Sequence, residues 1–250
     1  MPEGPEVKKL VNNLNTYRGL YIIDCKITPT SRYRDKAPDN YLLFKEKLPL
    51  KLKKVCCKGK LIYFIFKPKF FMINTLGMSG YWSKKKEKHV SLELNCKLKD
   101  EIFNLYFIDM RHFGTIKFFD LKTDLDNKLK KIGIDFLNDK TLNCKLFIKI
   151  IRKHDNKNIT KVLMDQSIFS GIGNYIKSES LYRAKINPMS DVKDLSDIEL
   201  EILYNSIKFV MNSSYNNNLE FQVYRKKQDM FGNKVYYMTT PDKRTTYYVK

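Results

Sequence analysis

The spacing of hydrophobic and polar residues changes along the chain, and each change predicts a different kind of element. From Pro5 the apolar residues Val7, Leu10, Val11 and Leu14 fall at helical spacing. Pro5 suits a first turn, Glu3 and Glu6 complement the positive end of the helix dipole, and Gly19 ends the segment. Short runs rich in β-branched and aromatic residues follow: GLYIIDCKI, KKVCCKGKLIYFIF, FFMINTLGM, HVSLEL, EIFNLYFID and GTIKFFD. Polar or Gly-containing turns separate them, which predicts an antiparallel sandwich or barrel of roughly eight strands with one helix packed on its front. From about Lys122 the pattern turns helical, beginning with KTDLDNKLKKIG, a charged stretch that reads as a linker. CKLFIKIIRK, ITKVLMDQ and KSESLYRAK are short helices. The run LSDIELEILYNSIKFVMNSS opens with a capping box, Ser196 with Glu199, and places Leu203, Ile207 and Val210 on a core face. The end alternates again: KVYYM and RTTYYV flank TTPDK and predict a hairpin. The expected fold is therefore α+β. An N-terminal helix and a two-layer antiparallel β-sandwich fill 1–121, a linker runs over 122–138, and a helical domain over 139–250 closes in a hairpin at about 230–250.

Composition sharpens this picture. Hydrophobic residues make up 43%, including 16 Phe and 16 Tyr, which predicts a packed interior and excludes a solvating tail. The 47 Lys and Arg against 27 Asp and Glu leave a net charge of +20, an excess that a polyanion would offset. Nucleic acid is the first expectation, with ribosomal-type binding and anionic membranes open on charge alone. Cys25, Cys56, Cys57, Cys96 and Cys144 are odd in number and lack CxxC spacing, so reduced thiols in a reducing, intracellular compartment are expected. No apolar run reaches the length of a membrane span, and the N-terminus lacks the basic flank and apolar core of a signal peptide, so no membrane partner is expected.

Helix chemistry leaves Pro2 unexplained. Removal of Met1 would expose its ring nitrogen as a secondary amine, and an α-amino group has a pKa of roughly 7.7 to 8. Attack of such an amine on a carbonyl-like carbon gives a cationic iminium, an electron sink that acidifies an adjacent C–H. Glu3 and Glu6 would be placed to shuttle protons. Many chains begin Met-Pro, so an ordinary N-terminus is the alternative. In TLGMSGYW, Gly77 and Gly80 flank Met78 and allow a tight turn to push a thioether outward. In IDMRHFGT, Arg111 and Phe113 share one side of an extended chain. Both stretches also read as hairpin turns with Met or Phe folded into a core. Together they suit a wedge that unstacks a duplex step while Arg takes the vacated pairing edge. MDQSIFSGIGNYIKSESLYRAKINP places Gly171 and Gly173 before a helix opened by Asn174, whose free N–H groups suit a phosphate. It is no dinucleotide fingerprint, because the third Gly and the βαβ context are missing. RTTYYV sets Arg244 at the base of a hairpin, where a bidentate phosphate contact is possible.

These stretches, in this order and over nearly the whole chain, resemble the Fpg/Nei family of DNA glycosylases/AP lyases. The shared motifs are PEGPEV, KGK before a strand, LGMSG, D-x-R-x-F-G, D-Q-x-x-x-x-G-I-G-N and a terminal arginine hairpin. The resemblance implies a helix-two-turns-helix segment in the second domain and damaged DNA, as duplex, as the partner of a monomeric enzyme. It implies Pro2 as the nucleophile at the deoxyribose C1′, Glu3 as general acid and proton shuttle, and Lys60 as a catalytic-site lysine holding phosphate at the lesion. Asn174 and Arg244 match the other phosphate grippers; Met78, Arg111 and Phe113 match the residues that fill the gap left by the flipped nucleotide; Glu6 would support the lesion pocket. Tyr224 and Phe221 are candidates to line that pocket or, equally, core aromatics. The implied reaction is excision of an oxidised base followed by β- and δ-elimination, with no cofactor.

Departures from the family pattern point to a branch. The segment from Gln222 to Lys250 contains no Cys or His, so the four-Cys zinc site common in the family cannot form there. That matches the zincless-finger, Nei-like proteins of animals, plants and some giant DNA viruses, in which Tyr and Thr pairs around Tyr236, Tyr237, Tyr247 and Tyr248 would replace the metal. Thr75 stands where many Fpg proteins carry His, and His112 where a second Arg is common. The stretch MNSSYNNNLEFQVY is shorter than its Fpg counterpart, which favours oxidised pyrimidines and hydantoins over 8-oxoguanine. The competing expectation is a damage- or abasic-site-binding protein without catalysis; Pro2, Glu3 and Lys60 argue against it. A tautomerase acting on small keto acids is disfavoured by the charge.

Overall fold

The apolar stripe at Val7, Val11 and Leu14 becomes the buried face of α1 (Gly4–Leu14), which a short 3₁₀ turn at Asn15–Tyr17 prolongs. A computed structural model describes residues 2–250, and the described chain forms two compact units. One comprises Pro2 and Val7–Lys130, the other Glu3–Glu6 and Lys131–Lys250.

In the first unit, strands form from the runs rich in β-branched and aromatic residues. They are β1 (Tyr21–Ile27), β2 (Leu50–Lys58), β3 (Leu61–Lys67), β4 (Phe70–Thr75), β5 (Tyr81–Ser83), β6 (Val90–Leu98), β7 (Glu101–Ile108) and β8 (Thr115–Phe119). They pair antiparallel in the order β5-β7-β6-β1-β2-β3-β4-β8. The sheet doubles over on itself. Trp82 on β5 donates its indole N–H to Asn74 Oδ1 on β4 at 3.0 Å and lies 5.3 Å from the Phe64 ring on β3, although these strands are far apart in the pairing order. The run KKVCCKGKLIYFIF is two strands, folded at Gly59 and Lys60 between the paired residues Lys58 and Leu61. Gly59 has φ +56°, as a two-residue hairpin loop with glycine first requires.

Two helices of this unit were not expected. α2 (Tyr41–Glu46) inserts Phe44 among Phe66, Phe70 and Phe118, with ring centroids 4.5 to 5.6 Å away. Burying such a ring contributes about 1.5 to 3 kcal/mol. The stretch expected to be a linker holds α3 (Lys122–Lys130), anchored by the buried Leu125. The compact units change between Lys130 and Lys131, inside the segment read as a linker.

The second unit contains a parallel pair, β9 (Ile134–Asp135) with β10 (Phe169–Ser170). Its helices are α4 (Cys144–Ile151), α5 (Ile159–Met164), α6 (Asn174–Arg183) and α7 (Asp197–Tyr215), and its terminal hairpin is β11 (Val235–Thr239) with β12 (Thr245–Val249). The Ser196–Glu199 capping box starts α7, and Leu203, Ile207 and Val210 are buried as the spacing requires. Tyr236 pairs with Tyr248 and Tyr237 with Tyr247, ring centroids 5.9 and 6.2 Å apart. All five cysteines are free thiols. Among the described residues no helix is long and apolar enough to cross a membrane, and no group of three or more His, Cys, Asp or Glu is arranged to hold a metal ion.

Candidate functional site

Pro2 is half-buried and joined by its peptide bond to Glu3, which is only 2% exposed. The reason for that burial lies in the second unit, to which Glu3 belongs. Its carboxylate accepts N–H groups from Tyr175 at 3.0 Å and Ile176 at 3.3 Å, two of the unpaired donors at the start of α6. Gly4 N–H donates to the Gly171 carbonyl at 2.9 Å, fastening the N-terminal segment to the turn before that helix. Space for the carboxylate comes from Gly173. A Cβ built there would lie 2.2 Å from Glu3 Cδ. This corrects the expectation that the N–H groups at this helix start are free for phosphate: those of Tyr175 and Ile176 already hold Glu3.

Glu6 is equally engaged. One of its oxygens accepts the Glu3 backbone N–H at 2.8 Å, and the other accepts the Tyr175 hydroxyl and the Ser214 hydroxyl, each at 2.9 Å. Burial, reinforced by Glu6 and Glu3, pushes the Tyr175 phenol well above its ordinary pKa, so it stays a neutral donor to Glu6. Tyr224 stands in an aromatic cluster with Tyr175, Phe221 and Tyr247, ring centroids 5.3 to 6.2 Å apart. Its backbone is fixed by Glu179, a buried carboxylate that accepts N–H groups from Gln222, Val223 and Tyr224 at 2.7 to 3.1 Å.

Asn174 opens α6 and donates its side-chain N–H to the Thr245 carbonyl at 2.8 Å, while its Oδ1 is buried without a partner. Arg244 is exposed, and its carbonyl accepts the Thr240 N–H at 3.0 Å. Beneath the turn, Lys177 and Asp242 form an ion pair at 2.6 Å with side chains 0 and 4% exposed. Burial pushes the Lys177 pKa down, opposed by Asp242 and Glu3. Sequence reasoning missed Tyr175, Lys177, Glu179, Ser214 and Asp242. For Lys177, Glu179 and Ser214 the signal was a charged or polar residue inside a helical run; Asp242 lay in the turn of the predicted hairpin.

In the first unit, Lys60 is half-buried at the β2–β3 tip. The turn holding Met78 packs on the turn holding Arg111 and Phe113. A Cβ on Gly77, whose φ is +61°, would lie 2.6 Å from the Phe113 carbonyl carbon, so the two backbones touch. Asp109 receives the Gly114 N–H at 2.8 Å and His112 adopts a left-handed φ of 56°, which together shape the second turn. Phe113 is therefore not folded into a core. It is 53% exposed, with the Arg111 guanidinium 5.4 Å from its ring centroid. Met78 is half-buried. Thr75 is bonded to Thr115 through their hydroxyls at 2.6 Å. A cleft of about 1180 Å³ elsewhere in the second unit, lined by Arg183, Phe209, Met230 and Phe231, contains none of the candidate residues.

Comparison with known proteins bears directly on this arrangement. The formamidopyrimidine-DNA glycosylase N-terminal domain matches residues 1–116, and the formamidopyrimidine-DNA glycosylase H2TH domain matches residues 132–221. The formamidopyrimidine-DNA glycosylase of Ureaplasma parvum is 32% identical over 212 residues, covering 78% of this chain and 72% of that protein. That of Rickettsia africae is 32% identical over 228 residues, covering 86% and 78%. Among solved structures, Lactococcus lactis formamidopyrimidine-DNA glycosylase bound to DNA with an abasic site superposes with a TM-score of 0.84 at 24% identity, covering 99% of this chain and 97% of that one. MutM in complex with DNA containing carbocyclic 8-oxoguanine gives 0.85 at 24% identity, covering 99% and 98%. The N-terminal β-sandwich, helical H2TH domain and terminal hairpin are thus the fold of these enzymes.

Proposed function

The chain belongs to the formamidopyrimidine-DNA glycosylase family of base-excision-repair enzymes, and from that premise we propose that it is a bifunctional glycosylase and AP lyase acting on damaged duplex DNA through Pro2. The observation that carries the reading is the seat of Glu3. A carboxylate one peptide bond from the N-terminal amine is held out of water by two helix N–H groups, with a glycine clearing its place. Such fixed geometry is what a proton shuttle needs.

In the reaction, the unprotonated Pro2 nitrogen attacks C1′ of the damaged nucleotide. The C1′–N bond breaks and the base departs with its electron pair; Glu3 takes the proton that the attacking amine releases and delivers it to O4′ as the C1′–O4′ bond of the sugar ring opens. The resulting iminium between Pro2 and C1′ withdraws electrons from C2′. Loss of a C2′ proton expels the 3′ phosphate, and a second elimination expels the 5′ phosphate. Lys60, Asn174 and Arg244 hold backbone phosphates, and Met78, Arg111 and Phe113 occupy the gap in the duplex. The exposure of Phe113 and its pairing with Arg111 support that last role.

The hairpin works without metal, as in the Nei-like branch, on the strength of its Tyr and Thr pairs. For substrate we favour oxidised pyrimidines and hydantoins, because the stretch after α7 is short and Glu179 ties its backbone down. The relatives named above are named for formamidopyrimidines, so a panel of a pyrimidine glycol, a guanine hydantoin, 8-oxoguanine and a formamidopyrimidine decides the order. The mechanism is tested by borohydride reduction on a duplex with one abasic site. A covalent adduct on the peptide beginning at Pro2 is expected. DNA binding without any adduct, with Met1 absent, would leave a damage-binding protein instead.

A further inference from the structure

A two-stranded hairpin is marginal by itself, and among the described residues no metal-holding group braces this one. It is instead tied to α6 at three places, two on β12 and one in the turn. Asn174 donates to the Thr245 carbonyl at 2.8 Å, Tyr247 N–H reaches the Ser178 hydroxyl at 3.4 Å, and Lys177 pairs with Asp242 at 2.6 Å. Two of these are ordinary neutral hydrogen bonds. The third is a fully buried ion pair, and Asp242's second oxygen accepts the Thr240 hydroxyl, while the Thr240 backbone N–H donates to the Arg244 carbonyl at 3.0 Å. Arg244 therefore stands between two fastened residues, Asp242 and Thr245, with its own side chain exposed.

A buried ion pair contributes little net stability over an apolar pair of the same size, but it specifies one arrangement. Lys177 reaches the turn with a single directed contact that a Leu or Met at 177 could not make. We infer that Lys177 and Asp242 are positioning residues, which lock the turn carrying Arg244 onto the helix that Asn174 opens and so set the spacing of the two phosphate contacts. This inference rests on the phosphate-binding role proposed for Arg244.

The test is equilibrium binding to a duplex holding an uncleavable tetrahydrofuran abasic site, measured across salt concentrations. The proteins are the wild type, R244A, K177M/D242L and the triple variant, each with a thermal melt. K177M/D242L is expected to melt within a few degrees of wild type, yet to bind about fivefold to tenfold more weakly and to flatten the slope of log K against log salt by about 0.9, the value of one phosphate. R244A should do the same, and the triple variant should be no weaker than R244A alone. D242N, which keeps the shape and removes one charge, should fall between wild type and the double variant, and it carries the test if K177M/D242L does not fold. A wild-type salt slope in K177M/D242L and D242N, or losses that multiply in the triple variant, would overturn the positioning role alone. An R244A protein that binds like wild type would overturn both that role and the phosphate assignment beneath it.

Discussion

Replacing Gly173 with Ala isolates what the seat of Glu3 is worth. The backbone there has φ −130° and ψ −161°, an extended conformation open to any residue, so the change acts through space alone. The added Cβ would lie 2.2 Å from Cδ, 2.3 Å from Oε1 and 2.6 Å from Cγ of Glu3. Carbon atoms pack at about 3.5 to 4.0 Å, so the carboxylate must retreat by more than about 1 Å. Its bonds to Tyr175 and Ile176, now 3.0 and 3.3 Å, would then exceed hydrogen-bonding range. Each hydrogen bond to a charged group is worth about 1.5 to 3 kcal/mol, so about 3 kcal/mol or more of stability should go with them. Displacing a catalytic group by about 1 Å costs on the order of 100-fold in rate, and loss of general acid catalysis about 100-fold to 10,000-fold. Single-turnover excision from a lesion duplex should therefore slow by about 100-fold or more in G173A, with binding to a tetrahydrofuran duplex little changed. G173A added to E3Q should slow excision no further than E3Q alone, since both act on one group. A G173A enzyme that folds and excises at the wild-type rate would refute the claim that this placement of Glu3 serves the chemistry.

Two further outcomes follow from the same geometry. E179Q keeps one carbonyl acceptor but removes the charge from a carboxylate that holds three backbone N–H groups, so about 2 kcal/mol of local restraint should go. Amide exchange at residues 222–224 should accelerate and the ranking within the lesion panel should change; unaltered protection would show that Glu179 does not hold this segment. Prolonged chelation should leave nicking of a damaged duplex unchanged, and a loss of activity restored by zinc would refute the metal-independent hairpin.

Elements were legible in the sequence where burial follows a simple period. The stripe of α1, the alternation of β3 and the capping box of α7 each announce one face of one element. Helix α2 gave no such signal: only Phe44 of its six residues is buried, and its entry is a left-handed Asn40. Helix α3 read as a linker because it too buries a single residue, Leu125, among charges. For the proposed site, the order of motifs pointed to Pro2, Glu3 and the turns at Met78 and Phe113. It did not reveal what holds Glu3, because the partners are backbone N–H groups about 170 positions later, which any residue except proline can supply. Gly173 was the one visible trace, and its space serves a carboxylate of the chain itself.

Helix α6 shows most clearly why composition misleads here. NYIKSESLYR has the polarity of a solvent-exposed helix, yet every residue from Tyr175 to Leu181 is buried. Burying Lys177 and Glu179 without partners would be prohibitive. Each is therefore matched by a directed contact: Lys177 by Asp242, Glu179 by the backbone of residues 222–224, and the helix start by Glu3. Leucines at 177 and 179 would fill the same volume and exclude the same water. They would also leave the hairpin turn and the 222–224 segment free to settle against the helix in more than one way, because apolar contacts have no direction. A polar helix in an apolar setting gives up stability for a single placement of three segments. Those segments carry the proposed general acid, the proposed arginine at a phosphate and the aromatic Tyr224.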